Sequence, residues 1–301
     1  MRIPMTTVQA DFVEDLRRHA EQELCALGHK VAPRDPSDPN LCIFRLAGVL
    51  RRRIEPRPRQ VLWSLELQAK SKTLAPPVLT ALARVVALSE AGADLSAHAS
   101  DKRNETNFQD DLINDWNIHH LHLGAEGQSG TVKRKDRLLF AMVGSDVLYF
   151  LDVRNHRSFG DVELIDIVHR NWPNVLRRYH AAILAVSPAY RDPLEIKALR
   201  NARVTACVTL EDGTVLFPPG GGINTAGSAV QDVTTAHAWL RHARDAEAWG
   251  RANAEQFADR VLRVTGGRPA VLHLRLSYGP DGPTIIESKH AIALAHGPDS
   301  A

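Results

Sequence analysis

The stretch Arg137-Leu138-Leu139-Phe140-Ala141-Met142-Val143, Gly144-Ser145-Asp146, Val147-Leu148-Tyr149-Phe150-Leu151-Asp152-Val153-Arg154-Asn155 is two apolar runs around a turn tripeptide. Both arms are mainly apolar, and Gly-Ser-Asp suits a tight reversal. The pattern predicts an antiparallel hairpin, with strands over 137–143 and 147–155. Upstream, Phe108 to Trp116 carries Leu112 and Trp116 on one helical face. The period then changes from 3.6 to 2, so Ile118 to Gly124 is predicted as a strand. A polar, basic connection over 127–136 joins it to the hairpin. Downstream, Val162, Ile165 and Val168 predict a helix over 161–171. Trp172-Pro173 closes it, and a second helix is expected over 174–185.

The remaining chain alternates between the two periods. Residues 8–27 read as a helix stopped by Gly28, 41–46 as a strand, 60–67 as a strand and 77–91 as a helix ended at Gly92. Ser187 to Pro193 is a plausible boundary. A hairpin is expected over 204–217, a long helix over about 229–264 with a break near Gly250, and a closing hairpin over 271–288. The resulting expectation is an α+β protein, with a mostly antiparallel central sheet flanked by helices and a smaller C-terminal α+β unit. Its expected segments are 1–100, 101–190 and 191–301.

Composition bounds the function. The chain has 301 residues, 44% of them hydrophobic and 24% charged, with a formal net charge of +2. It can bury a core without staples, and its charge implies no particular partner. Arg51, Arg52, Arg53, Arg57 and Arg59 form a basic run, read as a solvated connector. Cys25, Cys42 and Cys207 are far apart and odd in number, against a disulfide framework or a cysteine zinc site. The first residues lack the apolar core of a signal peptide, and no run approaches the ~18 apolar residues of a membrane span. A soluble, cytoplasmic protein without cofactor or bound metal is expected.

The functional signal is histidine. His119, His120, His122, His156 and His169 place five of fourteen histidines within 51 residues. Strand alternation puts His120 and His122 on one face and His119 on the other with Leu121 and Leu123. On the third strand Leu148, Phe150, Asp152, Arg154 and His156 are expected to share a face. The predicted surface carries His120, His122, Arg137, Asp152, Arg154 and His156. Histidine titrates near neutrality and suits both proton transfers of RNA cleavage; arginine suits the negative charge that develops on phosphorus. The leading expectation is a metal-independent endoribonuclease acting on RNA. His120 and His122 share the acid–base work, with His156 as a further candidate. Arg137 and Arg154 hold phosphate, and Asp152 orients a histidine. Two other readings stay open: a non-catalytic nucleic-acid or protein-binding module with a structural histidine cluster, and a metal-dependent hydrolase built on His-x-His. His169 reads as a charge partner at a helix C-terminus.

Leu121-His122-Leu123, Arg137 to Ala141, Val147 to Leu151 and Arg154-Asn155-His156 together resemble the core of small ribonuclease toxins of the RelE/HigB type. The resemblance covers about residues 117–160. It implies a toxin or phage-defence nuclease with an antitoxin or other protein partner. Arg137 matches the arginine opening that family's middle strand, and Arg154 and His156 fall where its terminal basic residues lie. His122 sits where the family often has arginine.

The run Pro218-Pro219-Gly220-Gly221-Gly222 is a further candidate, because consecutive glycines expose N–H groups that could hold an anion. It lacks the Gly-Lys-Ser/Thr of a phosphate loop, so a tight connector with Ser228 as helix N-cap is the preferred reading.

Overall fold

The computed structural model describes residues 6–100, 102, 105–124, 137–181 and 192–296. The connection expected over 127–136 and the latter part of the helix expected over 174–185 lie outside the described residues. In chain order the elements are β1 (Thr7–Gln9), α1 (Phe12–Ala26), α2 (Leu41–Arg52), β2 (Gln60–Trp63), α3 (Leu65–Ser71), α4 (Pro76–Glu90), α5 (Asp111–Trp116), β3 (Ile118–His122), β4 (Leu138–Val143) and β5 (Val147–Arg154). They continue as α6 (Glu163–Asn171), α7 (Pro173–Leu176), α8 (Pro193–Asn201), β6 (Val208–Thr209), β7 (Val215–Leu216), α9 (Val230–Ala252), α10 (Ala254–Thr265), β8 (Val271–Gly279), β9 (Gly282–Glu287) and β10 (Ile292–His296). The protein is α+β.

Two compact units result, and they do not follow the three expected segments. One joins Met1–Ala47 to Val233–Ala301; the other is Gly48–Asp232. The N-terminal residues belong with the C-terminal sheet because β1 adds to it. That sheet has the order β1-β8-β9-β10, with β1 parallel to β8 and the other neighbours antiparallel. Phe12, Leu16, Ala20 and Leu24 form the buried stripe of α1, and Leu272, Leu274 and Leu276 that of β8. The strand expected over 41–46 is instead the start of α2. Buried Ile43, Leu46 and Ala47 recur at helical spacing, and the short apolar window alone could not distinguish the two periods.

The Gly48–Asp232 unit is built on a four-stranded sheet ordered β2-β5-β4-β3. Only the β2–β5 pair is parallel. β4 reads Leu-Leu-Phe-Ala-Met-Val because both faces of the sheet are covered; a strand with one solvated face would alternate. On one face Leu121, Leu139, Phe150 and Val153 pack with Leu67, Leu82 and Val85 of α3 and α4. On the other, Ile118, Leu138, Phe140 and Leu151 pack with Leu164, Ile165 and Val168 of α6, Leu112 and Trp116 of α5, and Ile196 of α8. Each fully buried side chain of this size contributes roughly 1.5–3 kcal/mol.

A bulge interrupts the hairpin. Phe140 pairs with Asp152 but Ala141 pairs with Phe150, so Leu151 is extra. This corrects the expectation that Leu148, Phe150, Asp152 and Arg154 share a face. Leu148, Phe150 and Val153 all lie in the cluster facing α3 and α4, so Asp152 and Arg154 fall on the opposite face with Leu151. β2 ends beside the bulge, and Ser64 closes it. Its N–H donates to Phe150 O (3.0 Å) and its hydroxyl to Leu151 O (2.5 Å), while Oγ accepts from Leu67 N (2.9 Å) as the N-cap of α3.

The glycine run is a connector that caps a helix. Gly220 N–H donates to Asp115 O and Gly222 N–H to Asn114 O, both at 2.8 Å. These N–H groups are therefore engaged by the carbonyl end of α5 rather than free for an anion. A Cβ on Gly220 would lie 2.1 Å from Ile113 O. α9 begins at Val230, two residues after Ser228, whose N–H donates to Asn224 Oδ1. α8, unanticipated in the sequence, sends Arg200 Nε to Asp115 Oδ2 (2.6 Å) and stacks its guanidinium over Trp116. The break expected near Gly250 falls at Asn253. Most of the basic run is also internal to this unit. Arg51 bonds Asp232 and Asn114, Arg52 bonds Glu105 O, and Arg59 bonds Gly144 O and Glu55 O. No helix among the described residues is long and apolar enough to cross a membrane.

Two substitutions measure these joints. Ser64→Ala leaves a buried carbonyl and a helix end unsatisfied, and is expected to cost about 1–3 kcal/mol in urea unfolding. Gly220→Ala meets backbone rather than flexible side chain and is expected to cost about 1–3 kcal/mol. Gly267→Ala, with nothing within 4 Å of its Cβ, should leave the midpoint nearly unchanged.

Candidate functional site

The ladder sets the site. His120 pairs with Phe140 and Phe140 with Asp152; His122 pairs with Leu138 and Leu138 with Arg154. Two parallel rows thus cross β3, β4 and β5. In a regular ladder that paired Leu151 with Phe140, Asp152 would stand opposite Leu139 and turn to the α3–α4 face. The bulge returns Asp152 and Arg154 to the face of the two histidines.

The chain then turns back into a 3-10 segment, His156–Gly160, whose start is capped by the Asn155 side chain accepting from Arg157 N. This turn carries His156 and Phe159 to the histidine rows. Ring centroids lie 5.6 Å apart for His122 and His156, 6.0 Å for His120 and His122, and 4.9 Å for His120 and Phe159. Three of the expected site histidines therefore meet, and two of them, His120 and His156, pack against Phe159. His156 is exposed, whereas His120 is largely enclosed and His122 is buried.

Burial governs the protonation of the inner rings. His120 titrates below its ordinary range, because desolvation outweighs the attraction of Asp110, and His156 adds repulsion. His119, on the opposite face, is pushed down to about 3 by burial, with His120, Arg51 and Arg59 opposing its charge. Both inner rings are neutral near neutral pH. His98 Nδ1 lies 2.9 Å from His122 O, which supports the strand behind the site.

Other expected site residues are differently engaged. Asp152 does not orient a histidine. Its oxygens accept from Lys70 Nζ (2.7 and 2.8 Å), Arg154 Nε (2.7 Å) and Val153 N (2.7 Å). The reason is positional: at the sheet edge, past the end of β2, Asp152 meets α3 and its own neighbour Arg154. The carboxylate beside a histidine is Asp110, with Oδ2 3.7 Å from His120 Nδ1. Its Oδ1 caps α5 by accepting from Leu112 N and Ile113 N. The helix expected from Phe108 begins only at Asp111, which leaves Asp110 as its N-cap rather than an interior residue.

Arg154 is held by carboxylates: Asp152, Asp161 (3.1 Å) and Glu163 (3.3 Å). Burial disfavours its charge, but the bonds and charges of these acids outweigh that and raise its pKa. It is thus a structural cation as much as a phosphate ligand. Arg137 is exposed, and among the described residues no carboxylate pairs with it. Its carbonyl accepts from Leu123 N (3.0 Å), so it stands at the His122 end of the ladder. Alternation turns it away from Leu138 and the histidine rows. It lines a polar cleft of about 520 Å³ with Lys70, Arg154, Asn155 and Ser158. Among the described residues no three His, Cys, Asp or Glu side chains form a metal-holding group. His169 Nε2 lies 2.9 Å from Asp212 Oδ2 at the end of α6, apart from these rows.

No family model, curated protein or solved structure matches the chain.

The buried rings make stability depend on pH. Unfolded, His119 takes up a proton near 6.5; folded, it resists protonation to about 3. Between those values the unfolded chain binds more protons. The contribution of His119 is therefore full above 6.5 and is lost as pH falls toward 3, by up to about 1.4 kcal/mol per pH unit. Urea unfolding of His119→Gln between about pH 7 and pH 5 should show a shallower pH dependence than the wild type. An unchanged slope would contradict this origin.

Proposed function

We propose that the chain is an RNA-directed endoribonuclease working by histidine acid–base chemistry, with His122 and His156 as the pair. One observation carries the reading: His120 and His122 from β3 and His156 from beyond β5 converge, although 34 residues separate His122 from His156 in the sequence. In this reaction a 2′-hydroxyl loses its proton to one imidazole. The new O2′–P bond forms as the P–O5′ bond breaks, and a second imidazole protonates the departing oxygen. A cyclic phosphate and a 5′-hydroxyl result. Two histidines of complementary protonation suit this, one neutral and one charged. His156 is open to a strand from solvent. His122 lies behind it, and His120, neutral and near Asp110, backs His122. Arg154, which shares the face of the two histidines, is the cation assigned to phosphate, with Asp152, Asp161 and Glu163 fixing its position. The RelE/HigB-like pattern adds the proposal of a toxin or defence role, with an antitoxin-type partner.

A second reading, a non-catalytic binding module with a structural histidine cluster, is favoured by the burial of His98, His119 and His122.

Incubation with RNA in excess chelator separates the two. Cleavage should persist in the wild type and fall about 10²–10⁴-fold in His156→Ala, an exposed position where folding should be unaffected. His122→Ala should lose activity similarly. Intact RNA in every sample, or equal cleavage by His156→Ala, would leave the binding-module reading. Activity removed by chelator would instead support metal-dependent hydrolysis.

A further inference from the structure

At the turn end of the β4–β5 hairpin, away from the histidine rows, lies a cleft of about 610 Å³. Its volume falls within the ~300–1,000 Å³ usual for small-molecule sites. Met142 and Tyr149 form its floor, and Tyr179, Arg177 and Arg178 come from the 3-10 turn that follows α7. No Asp or Glu lines it. This contrasts with the cleft beside Arg137, where Glu66, Asp152 and Glu163 offset the cations. Both arginines are exposed, and among the described residues neither pairs with a carboxylate.

The aromatic walls are supported from outside. Trp172 packs on Tyr149 with ring centroids 4.9 Å apart, which restricts that ring. The Arg178 guanidinium lies 4.8 Å from the Tyr179 ring centroid. Half-buried tyrosines, two uncompensated cations and the carboxamides of Asn117 and Asn174 therefore share one concavity. A ligand matched to all three needs a flat aromatic body, hydrogen-bonding edges and negative charge. A purely aliphatic ligand leaves the cations unmatched, and a bare anion leaves the rings unused. We propose that this cleft binds a nucleotide, its base stacked against the tyrosines and its phosphate held by Arg177 and Arg178. The site is separate from His122 and His156 and does not depend on their being catalytic.

The test is calorimetric titration of the full chain with adenosine 5′-monophosphate and with an uncleavable deoxyadenylate hexamer. Both ligands share the chemistry, and they distinguish a free nucleotide from one within a strand. Binding of either supports the site, provided that Arg177→Ala/Arg178→Ala weakens it at least about tenfold and Tyr179→Leu by about tenfold. The arginines are exposed, so the double variant should retain the wild-type circular dichroism spectrum. His122→Ala/His156→Ala should bind as the wild type does, which separates failure of this site from failure of the nuclease reading. The proposal is overturned if neither nucleotide binds or if the arginine variant binds normally. It is also overturned if polyglutamate binds as tightly as the hexamer, because the surface would then suit an acidic protein.

Discussion

One extra residue, Leu151, and the buried Ser64 that closes the bulge around it control the central unit. The bulge reverses the facing of everything after Leu151, so Asp152 and Arg154 join the rows of His120 and His122. It also leaves carbonyls off the β4 ladder at the sheet edge. An unsatisfied buried carbonyl is costly, and Ser64 satisfies Leu151 O while starting α3. α3 in turn brings Lys70 to Asp152. A single local irregularity thus connects register, helix placement and the charge pattern of the cleft.

The histidine cluster exists against an electrostatic cost. Imidazoles set in a packed sheet lose solvation of their charged form and become neutral bases. Among the site histidines, His156, on a turn outside the ladder, is the exposed one. The carboxylates divide along similar lines. Asp152 is neutralised by two cations, whereas Asp110, among the described residues, has no lysine or arginine bonded to it and faces a histidine.

The unit that joins both chain ends carries a separate lesson in pairing. β1 is only three residues long, yet it fixes the N-terminus to a strand more than 260 residues later. No local pattern announces such a partner, so the N-terminal region read as an independent segment. The strand expected over 41–46 failed for a related reason. Five apolar residues around Arg45 fit either period, and the decision came from continuation into Val49 and the helix's final arginines.

The sequence by itself determined the α+β class, the hairpin over β4 and β5, the strand bearing the histidines and the sorting of His120 and His122 from His119. These follow from local periodicity, which backbone geometry imposes on any chain. Convergence of His156 with that pair was anticipated from strand adjacency. Its route through a 3-10 turn against Phe159 was not. Tertiary structure alone decided that Asp110 rather than Asp152 faces a histidine, that Arg154 is held by three acids, and that the glycine run caps α5. Each depends on which distant backbone approaches, and on a bulge that alternation cannot express. A period-2 pattern specifies the faces of a regular strand, but one inserted residue exchanges them, and its position is set by the packing around Ser64.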